Sequence, residues 1–175
     1  MKIWNWAQQT GSWVSASFLP GVQNVEADWA SRHFKDNIEW ALNPKVYQQI
    51  CLKFGLPLVD LFASYQNAKC ELYVSWGPDP YSFHCDAFAM SWKNIDAFAF
   101  PPFSLLPRVL RKAEEEKPQR LIVVAPDWPS SHWYARLVGR AKRVMKIGRK
   151  RRNILPNVDY DSRFKKGIGL IVLMY

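Results

Sequence analysis

The chain has 175 residues, 49% of them hydrophobic and 15% aromatic, and a formal charge of +9. That is enough apolar matter for one ordinary domain, or a domain plus a remnant, with a real core. No run approaches 18 uninterrupted apolar residues, so no membrane-spanning helix is expected, and the start Met1-Lys2-Ile3-Trp4 lacks a signal peptide's apolar stretch and cleavage site.

In chain order, residues 2–9 read as the end of a helix, as if the chain opened inside an element. Trp13 to Leu19 reads as a strand, with Val14, Ala16 and Phe18 alternating against Ser15 and Ser17, and Pro20-Gly21 ends it. Val25 to Phe34 reads as a short helix that Asn24 can cap. The next helix is better marked: Asn43 caps, Pro44 suits the first position, Gly55 the exit, and Val46, Ile50 and Phe54 form one stripe. Strands are predicted at Leu58 to Ala63, Cys70 to Trp76, Ala97 to Phe100 and Leu121 to Ala125. The last is apolar on both faces, as in the centre of a parallel sheet. Leu105 to Glu116 is predicted helical, with Leu106, Val109, Leu110 and Ala113 inward. Ser130 or Ser131 can cap a last helix carrying Trp133 and Leu137, and Gly167 to Met174 reads as a further strand. Strands alternating with helices predict an α/β fold: a mostly parallel sheet with helices on both faces.

Two features carry chemistry of their own. Cys51, Cys70 and Cys85 form no Cys-x-x-Cys pair; they read as buried thiols of a reducing compartment, with a partial zinc site at Cys70 and His84-Cys85 as the alternative. The cations Arg140, Lys142, Arg143, Lys146, Arg149, Lys150, Arg151 and Arg152 run without an intervening acid. Setting those eight aside leaves 16 cations against 15 acids, so the basicity is one local run. It reads either as a solvated helix face or frayed tail, or as a phosphate-binding patch beside Trp128 and Trp133. Arg149-Lys150-Arg151-Arg152 also reads as a nuclear import signal, giving a nuclear or cytoplasmic location.

The string Leu19-Pro20-Gly21, Asn24, Ala27-Asp28 and Ser31-Arg32 resembles the C-terminal signature of retroelement ribonuclease H domains. The resemblance makes Asp28 the last of four carboxylates that hold two Mg2+ ions in an intact domain. One carboxylate cannot hold two hard cations, so the remnant is not expected to cleave RNA. The alternative for Asp28 is a solvated acid at a helix start.

A second set of landmarks runs in order. It comprises Glu39-Trp40, Asn43-Pro44, Phe54-Gly55, Val59-Asp60-Leu61-Phe62-Ala63, Asn67, Tyr73, Asp86-Ala87-Phe88, Trp92, Phe100-Pro101-Pro102-Phe103, Val123 to Pro126, Trp128 and Trp133. From Glu39 to about residue 140 this is similar to phage-type Dam adenine methyltransferases, as fused downstream of ribonuclease H in DIRS-type retrotransposon polyproteins. The chain is expected to have three parts: residues 1–36 as a ribonuclease H remnant and 37–148 as the Dam-like domain, by the resemblance, and 149–175, from its charge, as a basic tail that includes the last predicted strand. The resemblance implies S-adenosylmethionine held by Asp60 and Asp86, and a flipped adenine received by Pro101, Pro102 and Phe103. It also implies DNA or RNA as partner, together with the polyprotein's reverse transcriptase and ribonuclease H. The family motif opens with Asp, Asn or Ser, which accepts a hydrogen bond from the adenine amino group; Phe100 has no acceptor. The expected function is therefore a retrotransposon-derived fragment that binds nucleic acid with an incomplete active site. The alternatives are a working adenine methyltransferase and a non-enzymatic scaffold in which the proline pair is only a rigid connector.

Overall fold

The computed structural model describes Gly11 and residues 41–150, 153–155 and 168–175. The predicted elements over 2–9, Trp13–Leu19 and Val25–Phe34 fall outside them. The chain divides into two compact units, residues 1–37 and 38–175, and the second carries the fold given below.

It opens with strand β1 (Ala41–Leu42) and helix α1 (Pro44–Phe54). Both ends of α1 follow the sequence signals. The Asn43 side chain accepts a bond from the Lys45 N–H at 2.9 Å, satisfying one of the unpaired first-turn donors. Gly55 ends the helix at φ 86°, ψ 164°, backbone that only glycine adopts readily. Val46, Ile50 and Phe54 are the buried stripe.

Four further parallel strands follow β2 (Val59–Asp60): β3 (Leu72–Ser75), β4 (His84–Cys85), β5 (Asp96–Ala99) and β6 (Arg120–Pro126). Helix α2 (Leu106–Glu116) connects β5 to β6, and the short α3 (Tyr134–Gly139) follows β6. Then come β7 (Arg143–Lys150), β8 (Ile154–Leu155) and β9 (Ile168–Met174). The main sheet has the order β4-β3-β2-β5-β6-β9-β7, with only β9 antiparallel to its neighbours; β1 and β8 pair separately. This is the mostly parallel, methyltransferase-like α/β fold that the sequence predicts.

Alternation divides the core into two layers. Ala97, Ala99, Leu121, Val123 and Leu173 face α2, α3 and the fully buried Trp92. Phe98, Ile122, Val124, Leu170 and Val172 face α1 and the β1–β8 pair. Residues of β6 are thus buried on both sides, as their unbroken apolar run requires. Asn153 joins the second layer to the sheet edge, donating from Nδ2 to the carbonyls of Gly148 and Ile168 at 2.8 Å each.

Several expectations need correction. The strand predicted over Leu58 to Ala63 is regular only at Val59–Asp60, although single bonds to the neighbouring strands continue on both sides of it, from Leu58 N–H to Asp96 (3.2 Å), Leu61 N–H to Phe98 (2.9 Å) and Ala63 N–H to Val74 (3.2 Å). Neither Ser130 nor Ser131 caps α3 through its side chain; Trp133 occupies the cap position, and backbone bonds from Ser131 to Trp128 and Tyr134 to Ser131 form the turn. The basic run is neither a helix face nor a frayed tail over Arg143–Lys150. It is an edge strand, because Met145 and Ile147 pack on the second layer while β9 supplies the ladder. The predicted strand Gly167 to Met174 is β9, and it stands between β6 and β7, so residue 148 falls inside a paired strand. Of the three thiols expected to be buried, Cys70 is half-buried and packs against the second layer, Cys51 is half-buried and Cys85 is exposed; among the described residues no three metal-ligating side chains converge.

Candidate functional site

β3 and β6 stand on opposite sides of the β2–β5 pair, so the connections leaving β2 and leaving β5 diverge and open a crevice beyond their carboxyl ends. A cleft of about 970 Å³ occupies that place. Its walls come from the segments after β2, β3, β4 and β5 and from the start of α2.

The wall after β2 is Leu61 to Ser64 with Asn67. It is a closed turn: the Ser64 N–H donates to Asn67 Oδ1 at 2.7 Å, and Ala68 N–H returns to the Ser64 carbonyl at 3.0 Å. Asp60 stands behind this wall, outside the cleft. It is 2% exposed, borders a void of about 10 Å³, and accepts bonds from Phe62 N–H (3.3 Å) and Lys69 N–H (3.1 Å). Burial raises its carboxyl from 3.8 to about 6, against the pull of those two N–H groups. Asp60 therefore fastens both ends of the 62–69 segment.

The wall after β3 runs through Ser75, Trp76 and Asp79. Ser75 Oγ bonds the Gly77 carbonyl (2.6 Å) and Ser82 Oγ (3.1 Å). Asp79 accepts from Tyr73 OH (2.7 Å) and Tyr81 N–H (2.9 Å). After β4, Asp86 lies in the left-handed region at φ 58°. That conformation turns its Oδ1 to the Phe88 N–H at 2.9 Å, while its own N–H bonds the Ser75 carbonyl at 2.8 Å.

Residues 86–92 are clamped to α2. Phe88 and Trp92 stack with centroids 6.2 Å apart; the Arg108 guanidinium lies 3.8 Å over Phe88 and the Lys112 ammonium 5.5 Å over Trp92. Trp92 Nε1 donates to the Ala87 carbonyl (2.7 Å), and its backbone N–H donates to Glu116.

The wall after β5 is Phe100-Pro101-Pro102-Phe103. Pro101 is buried, and a 3-10 turn from Phe103 to Leu105 leads into α2. The rings form an edge-to-face series, Phe100 to Phe103 at 6.2 Å and Phe103 to Trp128 at 5.5 Å.

The fold thus brings Asp86, Phe100, Pro101, Pro102 and Phe103 into one cleft and places Asp60 outside it. Asp28 falls outside the described residues. Sequence reasoning missed Asp79, Ser75 and Arg108. Arg108 sits two residues from Leu106 on an amphipathic helix, and Asp79 in a Gly-Pro-Asp-Pro turn; neither position announces a cleft.

The cations do not share one surface. Ladder register sets Arg143 level with Met174 and Ile122, and Ile147 level with Leu170 and Pro126. The run therefore climbs from the amino edge of the sheet to its carboxyl edge. Arg140 pairs with Glu114 (3.5 Å), Arg143 lies over the Phe54 ring (5.4 Å), and Lys146 pairs with Asp127 (3.3 Å). Lys142 is exposed near the amino edge; Arg149 and Lys150 are exposed beyond the level of Pro126, at the edge that bears the cleft. Arg151 and Arg152 are not among the described residues.

No curated protein matches the chain. The family model described as DNA N-6-adenine-methyltransferase (Dam) matches residues 30–174, which covers the whole sheet and every wall of the cleft. The chain belongs to the DNA N-6-adenine-methyltransferase (Dam) family, which implies S-adenosylmethionine as methyl donor and DNA as partner.

Proposed function

We propose that the chain is the Dam-like module of a DIRS-type retrotransposon polyprotein, holding S-adenosylmethionine and DNA at the cleft while lacking the acceptor that methyl transfer to adenine needs. The retrotransposon origin rests on the ribonuclease H-like string around Asp28 and on its order before the Dam landmarks. The genomic sequence upstream of Met1 tests it: in-frame reverse transcriptase and the missing carboxylates are expected, and an unrelated reading frame would refute it.

The cleft fits the cofactor's chemistry. Its volume of about 970 Å³ suits a ligand of that size. Phe62 and Phe88 line the cleft with apolar surface for a heteroaromatic ring, and Asp79 and Asp86 offer carboxylate acceptors for hydroxyl or ammonium groups. Arg108 offers a cation for a carboxylate. S-adenosylmethionine supplies an electrophilic methyl group when bound. The chain's part is to exclude water with its aromatic walls and to hold the base.

Phe100 is the observation that carries the loss of transfer. An adenine amino nitrogen has its lone pair delocalised into the ring, and an acceptor on its N–H frees that pair to face a methyl donor. The Phe100 ring has no such atom. An unpartnered N–H costs about 1–3 kcal/mol, and stacking on an aromatic ring contributes about the same. The base is then held without being oriented. The second reading, a working methyltransferase, is favoured by the completeness of the remaining walls. Transfer of labelled methyl from S-adenosylmethionine to DNA separates the two. Background counts for the wild type and a gain for Phe100→Asn are expected; wild-type turnover would establish the second reading.

A further inference from the structure

Among the described residues, the most exposed aromatic side chains gather beside the cleft. Trp76 is 95% exposed, Tyr65 72% and Tyr81 76%. Trp76 itself lines the cleft. Tyr65 follows the lining residue Ser64, and Tyr81 is bonded through its N–H to the lining residue Asp79. The Tyr65 and Tyr81 rings meet with centroids 5.7 Å apart at 42°.

This exposure is built in. Tyr65 projects from the turn closed by Ser64 and Asn67 (2.7 Å). Trp76 and Tyr81 project from a turn cross-braced by Ser75 to Gly77 (2.6 Å), Ser75 to Ser82 (3.1 Å), and Asp79 to Tyr73 (2.7 Å). Two internally bonded turns thus hold three rings in water, where each leaves apolar surface that folding would otherwise bury.

We propose that Tyr65, Trp76 and Tyr81 form a stacking platform for unpaired DNA bases at the mouth of the cleft. The proposal rests on the cleft being the methyltransferase site. An enzyme acting on a base must extract it from the duplex, which leaves its neighbours and its former partner unstacked. Braced aromatic faces accept such bases whatever their sequence. The strand order supports the placement. The platform lies on the β3–β4 side, and the exposed Arg149 and Lys150 lie at the same edge on β7. Five strand spacings separate β3 from β7, roughly 24 Å. That is about seven base steps of DNA. DNA laid along the carboxyl edge meets cations at one end and stacking rings at the other, with the cleft between.

Anisotropy of a short labelled single-stranded oligodeoxynucleotide with the full chain tests this. Trp76→Ala, and Tyr65→Ala combined with Tyr81→Ala, should each weaken binding on the order of tenfold without changing its salt dependence. Tyr65→Phe with Tyr81→Phe should retain it, since the rings act and the hydroxyls do not. Unchanged affinity in the alanine variants overturns the platform while the cleft reading stands. Loss of S-adenosylmethionine binding with DNA binding intact overturns it in favour of a cofactor contact, and conversion of a wild-type dimer to monomers overturns it in favour of a second copy. A wild type that binds no DNA at all overturns both the platform and the reading beneath it.

Discussion

Replacing Arg120 with methionine tests what positions the β5 end of the cleft. The Arg120 guanidinium makes four bonds of 2.6 Å: two to the Asp96 carboxylate, one to the Phe54 carbonyl and one to the Leu56 carbonyl. It therefore ties β5, β6 and the exit of α1 together. Methionine keeps the length of the side chain but strands a carboxylate 18% exposed and two helix-end carbonyls. Breaking a fully buried pair costs about 3–5 kcal/mol. Water reaches a quarter of the arginine, so we discount this to about 2–3 kcal/mol. Urea unfolding should show a midpoint lowered by about 1 M at a typical slope. Adding Asp96→Leu should recover part of the loss, because the unpaired charge is removed with its partner. Gly55→Ala acts on the same knot: a Cβ there would stand 2.6 Å from Arg120 Nη1, at a backbone angle alanine resists. The glycine and arginine substitutions should then combine to less than their sum. A loss below about 0.5 kcal/mol for Arg120→Met, or full additivity with Gly55→Ala, would refute the reasoning; the first figure is the scale of an ordinary surface change.

Three other expectations follow from the described residues. Asp60 has its carboxyl raised to about 6 by burial, so the folded state keeps that proton longer than the unfolded chain does. Its stabilising contribution is complete below about pH 4 and is lost as pH rises through 6, a change of about 3 kcal/mol. The stability difference between wild type and Asp60→Asn, measured by urea unfolding from pH 4 to 7, should shift by that amount; a constant difference would count against it. Asn153→Leu leaves the Gly148 and Ile168 carbonyls without their 2.8 Å donor and should cost roughly 2–3 kcal/mol, with faster amide exchange in β7 and β9. Unchanged exchange there would show that the edge holds without it. Arg149→Gln with Lys150→Gln should reduce the slope of log affinity for duplex DNA against log salt by about 1.8, whereas Arg140→Gln with Lys142→Gln should leave it alone. Equal effects would mean that the amino-edge cations meet phosphate too.

Local signals made the helices legible. Asn43, Pro44 and Gly55 mark α1 because capping and exit are decided within a few residues. Leu106, Val109, Leu110 and Ala113 mark α2 because one face must meet the sheet. β6 was legible because a run buried on both sides has no polar residue. β7 was not, since the partner that makes it a strand is β9, about twenty residues on, and its alternation of Met145 and Ile147 is hidden among cations. β4 is two exposed residues and has no apolar pattern at all. The Pro101–Pro102 pair and Asp86 were found through the motif they resemble, and both reach the cleft. Asp60 ends β2 as the resemblance has it, but its carboxylate bonds the Phe62 and Lys69 N–H groups behind the wall, a direction set by the turn that follows the strand. Asp79 and Arg108 needed the loop and helix to be folded before they could meet.

The account depends on the cleft beyond β2 and β5 being the cofactor site. Calorimetric titration of S-adenosylmethionine into the full chain measures that directly. Saturable binding at one site, weakened at least about tenfold by Phe88→Ala or Asp86→Ala and unaffected by Asp28→Ala, is the predicted result; tenfold is the loss of about one stacking or charged contact. A folded wild type that takes up no S-adenosylmethionine, or variants of the cleft that bind it as tightly as the parent, would contradict the account.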